Sequence, residues 1–334
     1  MRTEEDQAVM GAGGALKGRA LADAPGTAAF ARDLFTLLRP HQWIKNLFVF
    51  AALVFSGNLF HPEMLALTVA AFVTFCALSG SVYVLNDIMD VAEDRCHPRK
   101  KKRPVAAGRI NTATAWAVHI LLASGSLAAA FFLNTYFGAI AAVYYAMNVG
   151  YSLGLKRAVI IDVMIVAAGF VIRAAAGGLA ISVNISHWLL VCTTLLALFL
   201  VLAKRRHEII LMGDRANLLM ELSLAAEDMD RAARYRNSLE EYNPYFLDQL
   251  IGVTTATTLM AYILYTLSKE AAQHFGGPHL IYTAPFVIYG IFRYLYLIHL
   301  KKEGGSPART LATDRPLLAD IFLWAVSVVV ILYL

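Results

Sequence analysis

The chain has 334 residues, of which 58% are hydrophobic and 16% charged, with a mean hydropathy of +0.57. Soluble domains carry about 25% charged residues, so this composition excludes an ordinary soluble protein and points to a membrane. The net charge of +5 requires no nucleic-acid partner, because topology and anionic lipid account for basic loops. Cys76, Cys96 and Cys192 form no CxxC pair and no disulfide framework. The sequence has no GxGxxG, P-loop or HExxH pattern.

Residues 1–32, rich in Ala and Gly, are expected to be a disordered tail; the basic start and apolar core of a signal peptide are missing. Residues 33–46 (DLFTLLRPHQWIKN) read as an interfacial helix bent at Pro40, with Trp43 at headgroup level. Apolar runs near twenty residues then recur, each long enough to cross a bilayer. They fall at 44–60, 64–85, 112–133, 136–154, 159–180, 187–203, 249–267, 280–299 and 316–334. The fold class predicted over 33–334 is all-α, a polytopic helical bundle of about nine transmembrane helices around a cytoplasm-facing cavity. The stretch 204–248 spaces Glu227, Asp228, Asp230, Arg231, Arg234 and Arg236 among Leu, Met and Ala. It reads as one or two amphipathic cytoplasmic helices ending near Asn243 and Pro244.

Charge alternates between the loops. Arg32, Arg39, the run from Arg95 to Arg109, Lys156, Arg157, Lys204 to Arg206, Lys301 and Lys302 fall on one side, and Lys269 stands alone on the other. The positive-inside rule makes the basic side cytoplasmic, with the N-terminus inside and the C-terminus outside, in the cell (inner) membrane.

The densest chemistry lies at 86–94. Asn86, Asp87, Asp90 and Asp94 end an apolar helix and a cationic run from Arg99 to Arg103 follows. Acidic groups at membrane depth are costly and usually functional. Hard oxygen ligands suit Mg2+, which is commonly held by one or two carboxylates plus substrate phosphate. Positions 86, 90 and 94 share one helical face, and the outer pair are about 12 Å apart at the helical rise. One ion cannot bridge that span, but a Mg-diphosphate group can occupy part of it. Lys100 and Arg103 are the preferred phosphate contacts in the basic run, which Pro98 and Pro104 bracket as a loop. Tyr83, one turn before Asn86, can offer a hydroxyl, against the plainer reading of an interface tyrosine. Lys45 enters the first span as a phosphate ligand or as a snorkelling lysine. Tyr151, Lys156, Asp162 and Arg173 form a further group. Asp162 and Arg173 lie about three turns apart on one face, and Arg173 is deep enough to need a cavity or a partner. Lys204, Arg205, Arg206, His207 and Glu208 close the sixth span on the same side.

These motifs resemble one family. NDIMDVAED at 86–94 is similar to the NDxxDxxxD motif of UbiA-type intramembrane prenyltransferases, and YSLGLK at 151–156 to that family's tyrosine–lysine element. LRPHQWIKN at 38–46, VYVLNDIMDVAEDRCHP at 82–98, RPVAAG at 103–108, GFVIRAAAGG at 169–178 and KRRHE at 204–208 resemble the decaprenyl-phosphate phosphoribosyltransferase branch. In aromatic prenyltransferases a second aspartate motif follows the sixth helix. Here that place reads KRRHE, a cationic replacement suited to a lipid monophosphate.

The resemblance implies 5-phosphoribosyl 1-diphosphate as donor, chelated with Mg2+ by Asn86, Asp90 and Asp94 and held by Lys45, Tyr83, Lys100 and Arg103. It implies a polyprenyl monophosphate as acceptor, with its headgroup on Lys156, Arg173, Lys204 and Arg205, and a lipid-linked pentose precursor for the cell envelope as product. It leaves a homo-oligomer open. The alternatives are an aromatic prenyltransferase making a quinone or haem-type product, and a lipid or anion transporter, whose charges would line a path near the midplane.

Overall fold

Asparagine and proline mark where the helices begin. Asn111, Asn134 and Asn243 each accept a backbone N–H of the first turn through the side-chain oxygen, at 2.7, 2.8 and 2.9 Å from Thr114, Tyr136 and Tyr245. Pro62 and Pro244 occupy first helical positions, where a missing N–H costs nothing. The computed structural model describes residues 27–96, 100–221, 243–274, 277–301, 310 and 313–333. The tail to residue 26, Pro98, Arg99, Lys302 and the acidic and basic residues of 222–242 lie outside the described residues.

Among the described residues there is no strand. The helices are α1 (Thr27–Leu37), α2 (Ala51–Phe55), α3 (Pro62–Met89), α4 (Val91–Cys96), α5 (Thr112–Leu133) and α6 (Thr135–Leu153). They continue as α7 (Ile161–Ala180), α8 (His187–Glu221), α9 (Pro244–Thr266), α10 (Lys269–His274), α11 (Ala284–His299) and α12 (Arg315–Tyr333). Two apolar cores join them. Phe75 and Leu78 of α3 pack with Phe137 and Ala141 of α6 and Ala176 of α7. Phe199 and Leu202 of α8 pack with Leu247 and Ile251 of α9 and Tyr294 and Leu297 of α11.

Among the described residues seven segments are long and apolar enough to cross a membrane, against the nine predicted. Two predicted spans fall outside that set. Helix α6 has 19 residues, about 28 Å at the helical rise, but Tyr144, Tyr145, Asn148 and Tyr151 dilute its apolarity. The first predicted span, 44–60, is not one α-helix. It is a 3-10 helix over Pro40–Phe50 followed by α2, together about 30 Å in rise. Arg39 enters it in the left-handed conformation (φ 51°). The segment lies against α7 so closely that a Cβ on Gly177 would strike the Val49 carbonyl, which is the use of a glycine at that position.

Two further boundaries move. Residues 27–32, assigned to the tail, belong to α1. KRRHE is not in a loop: α8 runs unbroken from His187 to Glu221, because nothing in 204–211 breaks a helix and its charges sit where the span leaves the apolar layer.

Candidate active site

The site gathers at the end of the bundle where α3 stops. Asp90 departs from helical geometry (φ −96°, ψ 9°). Its N–H still reaches the Asn86 carbonyl at 3.0 Å, and the Asp94 N–H reaches the Asp90 carbonyl at 2.8 Å. The shared face of 86, 90 and 94 therefore continues across the bend into α4.

Each acidic side chain there has a cation. Asp87 and Asp94 are only 2% and 1% exposed, and both are ion-paired. Arg39 pairs with Asp87, and Arg103 bridges the two, at 3.2 Å from Asp87 and 2.5 Å from Asp94. Lys156 pairs with Asp90. Asn86 Oδ1 accepts the Ser152 hydroxyl at 2.6 Å. Buried carboxylates without such partners would be strongly destabilising. The Arg39 guanidinium also lies 5.2 Å from the Tyr83 ring centroid, within cation–π range. Lys100 stands exposed in a single 3-10 turn, Lys100–Lys102, with Arg103 half-buried behind it.

A second group lies deeper and contains no acid. Arg173 is 5% exposed. It donates to Asn46 Oδ1 at 2.7 Å, to the Gly169 carbonyl at 2.6 Å and to the Tyr144 hydroxyl at 2.7 Å. Its guanidinium also sits 4.8 Å from the Tyr144 ring centroid and 5.7 Å from that of Phe170. All of these partners are neutral, so the positive charge is solvated but not cancelled. Lys45, the residue before Asn46, feels the charges of Lys204, Arg173 and Arg39. No carboxylate pairs with Lys45 among the described residues. At the rim, burial first, and then the Arg39 and Lys45 charges, hold the His41 imidazole below its ordinary pKa. Lys204 meets Glu208 at 3.4 Å on its own helix.

The predicted site residues divide accordingly. Asn86, Asp90, Asp94 and Arg103 gather where α3 ends, and Tyr83 lies between the two groups, with Arg39 over its ring and Tyr144 and Arg173 acting electrostatically on it. Lys45, expected with the donor group, sits with Arg173 and Lys204. Lys156, expected at the lipid headgroup, is bonded to Asp90. Arg205 is committed to Asp162 and Glu208, tying α8 to α7. Asp162 and Arg173 share a helix but not a bond: Asp162 pairs with Arg205 of α8, and Arg173 with Asn46, Tyr144 and the Gly169 carbonyl of α7. Arg39, Tyr144 and Ser152 were not singled out. Tyr144 and Tyr151 are seven residues apart on α6, two turns on one face, a spacing that could have flagged the first from the second.

Among the described residues no group of three or more His, Cys, Asp or Glu side chains is arranged to hold a metal ion alone. The donor set nonetheless fits Mg2+ completed by substrate. An amide oxygen and two carboxylates supply hard ligands within two turns, and the cations now resting on the carboxylates are the groups a bound diphosphate would attract.

Comparison with known proteins agrees with this architecture. The model of the UbiA prenyltransferase family matches residues 46–326. A decaprenyl-phosphate phosphoribosyltransferase of Corynebacterium glutamicum is 30% identical over 309 residues, 91% of this chain and 88% of its own. Another, of Mycolicibacterium smegmatis, is 35% identical over 244 residues, 72% of each chain. The solved structure of a UbiA homologue from Archaeoglobus fulgidus, bound to DMAPP and Mg2+, superposes with a TM-score of 0.63. It covers 90% of this chain and 99% of its own at 17% identity, a likeness of fold alone. The chain belongs to the UbiA prenyltransferase family and is a multi-pass membrane transferase.

Proposed function

We propose that this protein transfers the 5-phosphoribosyl group of 5-phosphoribosyl 1-diphosphate to a polyprenyl monophosphate of the decaprenyl kind, with Mg2+, and releases diphosphate. The observation that carries this reading is the pairing of an acid-bearing pole, Asn86, Asp90 and Asp94, with a neighbouring cationic pair, Lys45 and Arg173, to neither of which any described carboxylate is bonded. A metal-chelated diphosphate needs the first, and a bare phosphomonoester needs the second. The names of the C. glutamicum and M. smegmatis relatives support the same substrates.

On this reading Asn86, Asp90 and Asp94 would hold the Mg-diphosphate group along their shared face, and Arg39, Tyr83, Lys100 and Arg103 would surround the donor phosphates. Lys156 releases Asp90 as it turns to phosphate. Lys45 joins Arg173 and Lys204 around the acceptor headgroup, and Arg205 holds α8 in place rather than touching lipid. An acceptor phosphate oxygen attacks ribose C1. The new C1–O bond forms as the C1–O bond to diphosphate breaks, and diphosphate leaves with the electron pair. The nucleophile is already an anion, so no general base is required. Bound Mg2+ supplies charge stabilisation to the departing diphosphate, and Arg103 and Arg39 add fixed positive charge as that charge develops. A direct displacement inverts C1. The basic ends of the spans support a site on the cytoplasmic side of the cell (inner) membrane, with the N-terminus inside.

An aromatic prenyltransferase is the weaker reading, because the position of its second aspartate motif is taken by KRRHE, whose Arg205 is already paired. Purified protein given labelled phosphoribosyl diphosphate and polyprenyl phosphate tests the choice. Mg-dependent passage of label into lipid is expected. Prenyl transfer from a prenyl diphosphate to an aromatic acceptor, with no label in lipid, would reverse it.

A further inference from the structure

The end of the bundle opposite the acidic motif holds a cavity of about 410 Å3 between α2, the 181–186 turn, the start of α8 and the α9–α10 junction. It is independent of the site above. Its polar wall is made by Ser56, Asn184, Ser186, His187, Tyr265 and Glu270, and among the described residues no Lys or Arg lines it. Tyr265 is 8% exposed, and its hydroxyl has no hydrogen-bond partner among the described residues. The Ser186 hydroxyl is likewise buried and unpartnered. The Glu270 carboxylate faces the same space, acts electrostatically on Tyr265 and forms no ion pair among the described residues. Asn184, His187 and Glu270 are exposed at the rim of the cavity. Buried polar groups are normally satisfied, so the Tyr265 and Ser186 hydroxyls leave room for a hydrogen-bonding occupant, and the Glu270 carboxylate at the mouth favours one that carries positive charge.

We propose that this cavity binds the primary ammonium headgroup of a membrane lipid. An ammonium has three N–H donors and no acceptor, matching the oxygens of Asn184, Ser186, Tyr265 and Glu270. A phosphate, sulfate or carboxylate finds no fixed cation here. A quaternary ammonium brings charge but no donor. The source is a lipid rather than a soluble amine because the remaining wall, Ala52, Phe55, Ile185 and Leu189, is apolar. The same end also carries the exposed side chains of Phe60, Leu267 and Tyr282, which mark the headgroup level of a bilayer.

Native mass spectrometry of the delipidated full chain tests this with phosphatidylethanolamine, phosphatidylcholine and phosphatidylglycerol of equal acyl chains. The wild type should retain phosphatidylethanolamine about tenfold better than the others, the value of one charge-assisted hydrogen bond. Glu270→Gln should abolish the preference, Tyr265→Phe should reduce it, and Asp90→Asn at the other end should leave it intact. Equal retention of the three lipids, a preference unchanged in Glu270→Gln or lost in Asp90→Asn, or full displacement by millimolar free ethanolamine would each overturn the assignment.

Discussion

The acidic pole at the end of α3 and the cationic pole around Arg173 meet the same difficulty, charge at membrane depth, in opposite ways. At the acidic pole every carboxylate has a cation: Asp87 has Arg39 and Arg103, Asp94 has Arg103, and Asp90 has Lys156. At the cationic pole Arg173 is held by an amide, a carbonyl and a phenol, and Lys45 by no carboxylate among the described residues. Neutral partners orient a guanidinium without cancelling its charge, so the cationic pole keeps its attraction for an anion while the acidic pole rests balanced. A balanced pole must exchange partners to bind, as a metal and a diphosphate together can make it do. An unbalanced pole is ready for a phosphomonoester without metal.

Removing one acidic ligand should break the contrast most severely. Asp90→Asn is expected to lower transfer by on the order of 100-fold or more, with the protein still inserted and monodisperse by size exclusion. Full activity would remove Asp90 from the metal site. Arg173→Met comes next. It takes the buried charge away and leaves Asn46 and Tyr144 without their donor. The KM for polyprenyl phosphate should rise by about 30-fold, roughly 2 kcal/mol, with the donor KM little changed. A rise confined to the donor would place Arg173 on the other substrate. Tyr144→Phe keeps the ring beneath the guanidinium and removes one hydrogen bond. A loss of about fivefold in kcat/KM, on the order of 1 kcal/mol, is expected, and no change would make the hydroxyl incidental. The smallest effect belongs to Lys204→Ala, a half-exposed lysine already shared with Glu208. A rise of about threefold in acceptor KM alone fits an exposed pair; equal loss for both substrates would show that Lys204 does not choose between them.

Much of this was legible in the residues themselves. The run to Met89 could only be a buried helix, and the spacing of Asn86, Asp90 and Asp94 put them on one face whether or not the helix bent at Asp90. Arg173 announced itself by depth. Sequence gives the residue type and the membrane side, however, and not the partner. Lys156 and Arg205 were both read as lipid-phosphate ligands because both are cationic at the right end, and only packing reveals that Asp90 and Asp162 face them. Lys45 lies within electrostatic reach of Lys204, Arg173 and Arg39, on a 3-10 helix whose tighter turn changes which face each residue presents. Arg39 is hidden in the sequence by its place in a basic loop, where topology alone accounts for a cation.

Chelation of the metal separates the two poles in one experiment. Affinities of the purified protein for phosphoribosyl diphosphate and for a short-chain polyprenyl phosphate are measured by titration calorimetry, each with Mg2+ and with excess EDTA. Donor affinity should collapse in EDTA while acceptor affinity stays within about twofold, as expected of a phosphomonoester bound by fixed cations. Acceptor binding that falls together with donor binding, or donor binding indifferent to the chelator, would contradict the division of the site into a metal-dependent and a metal-free half.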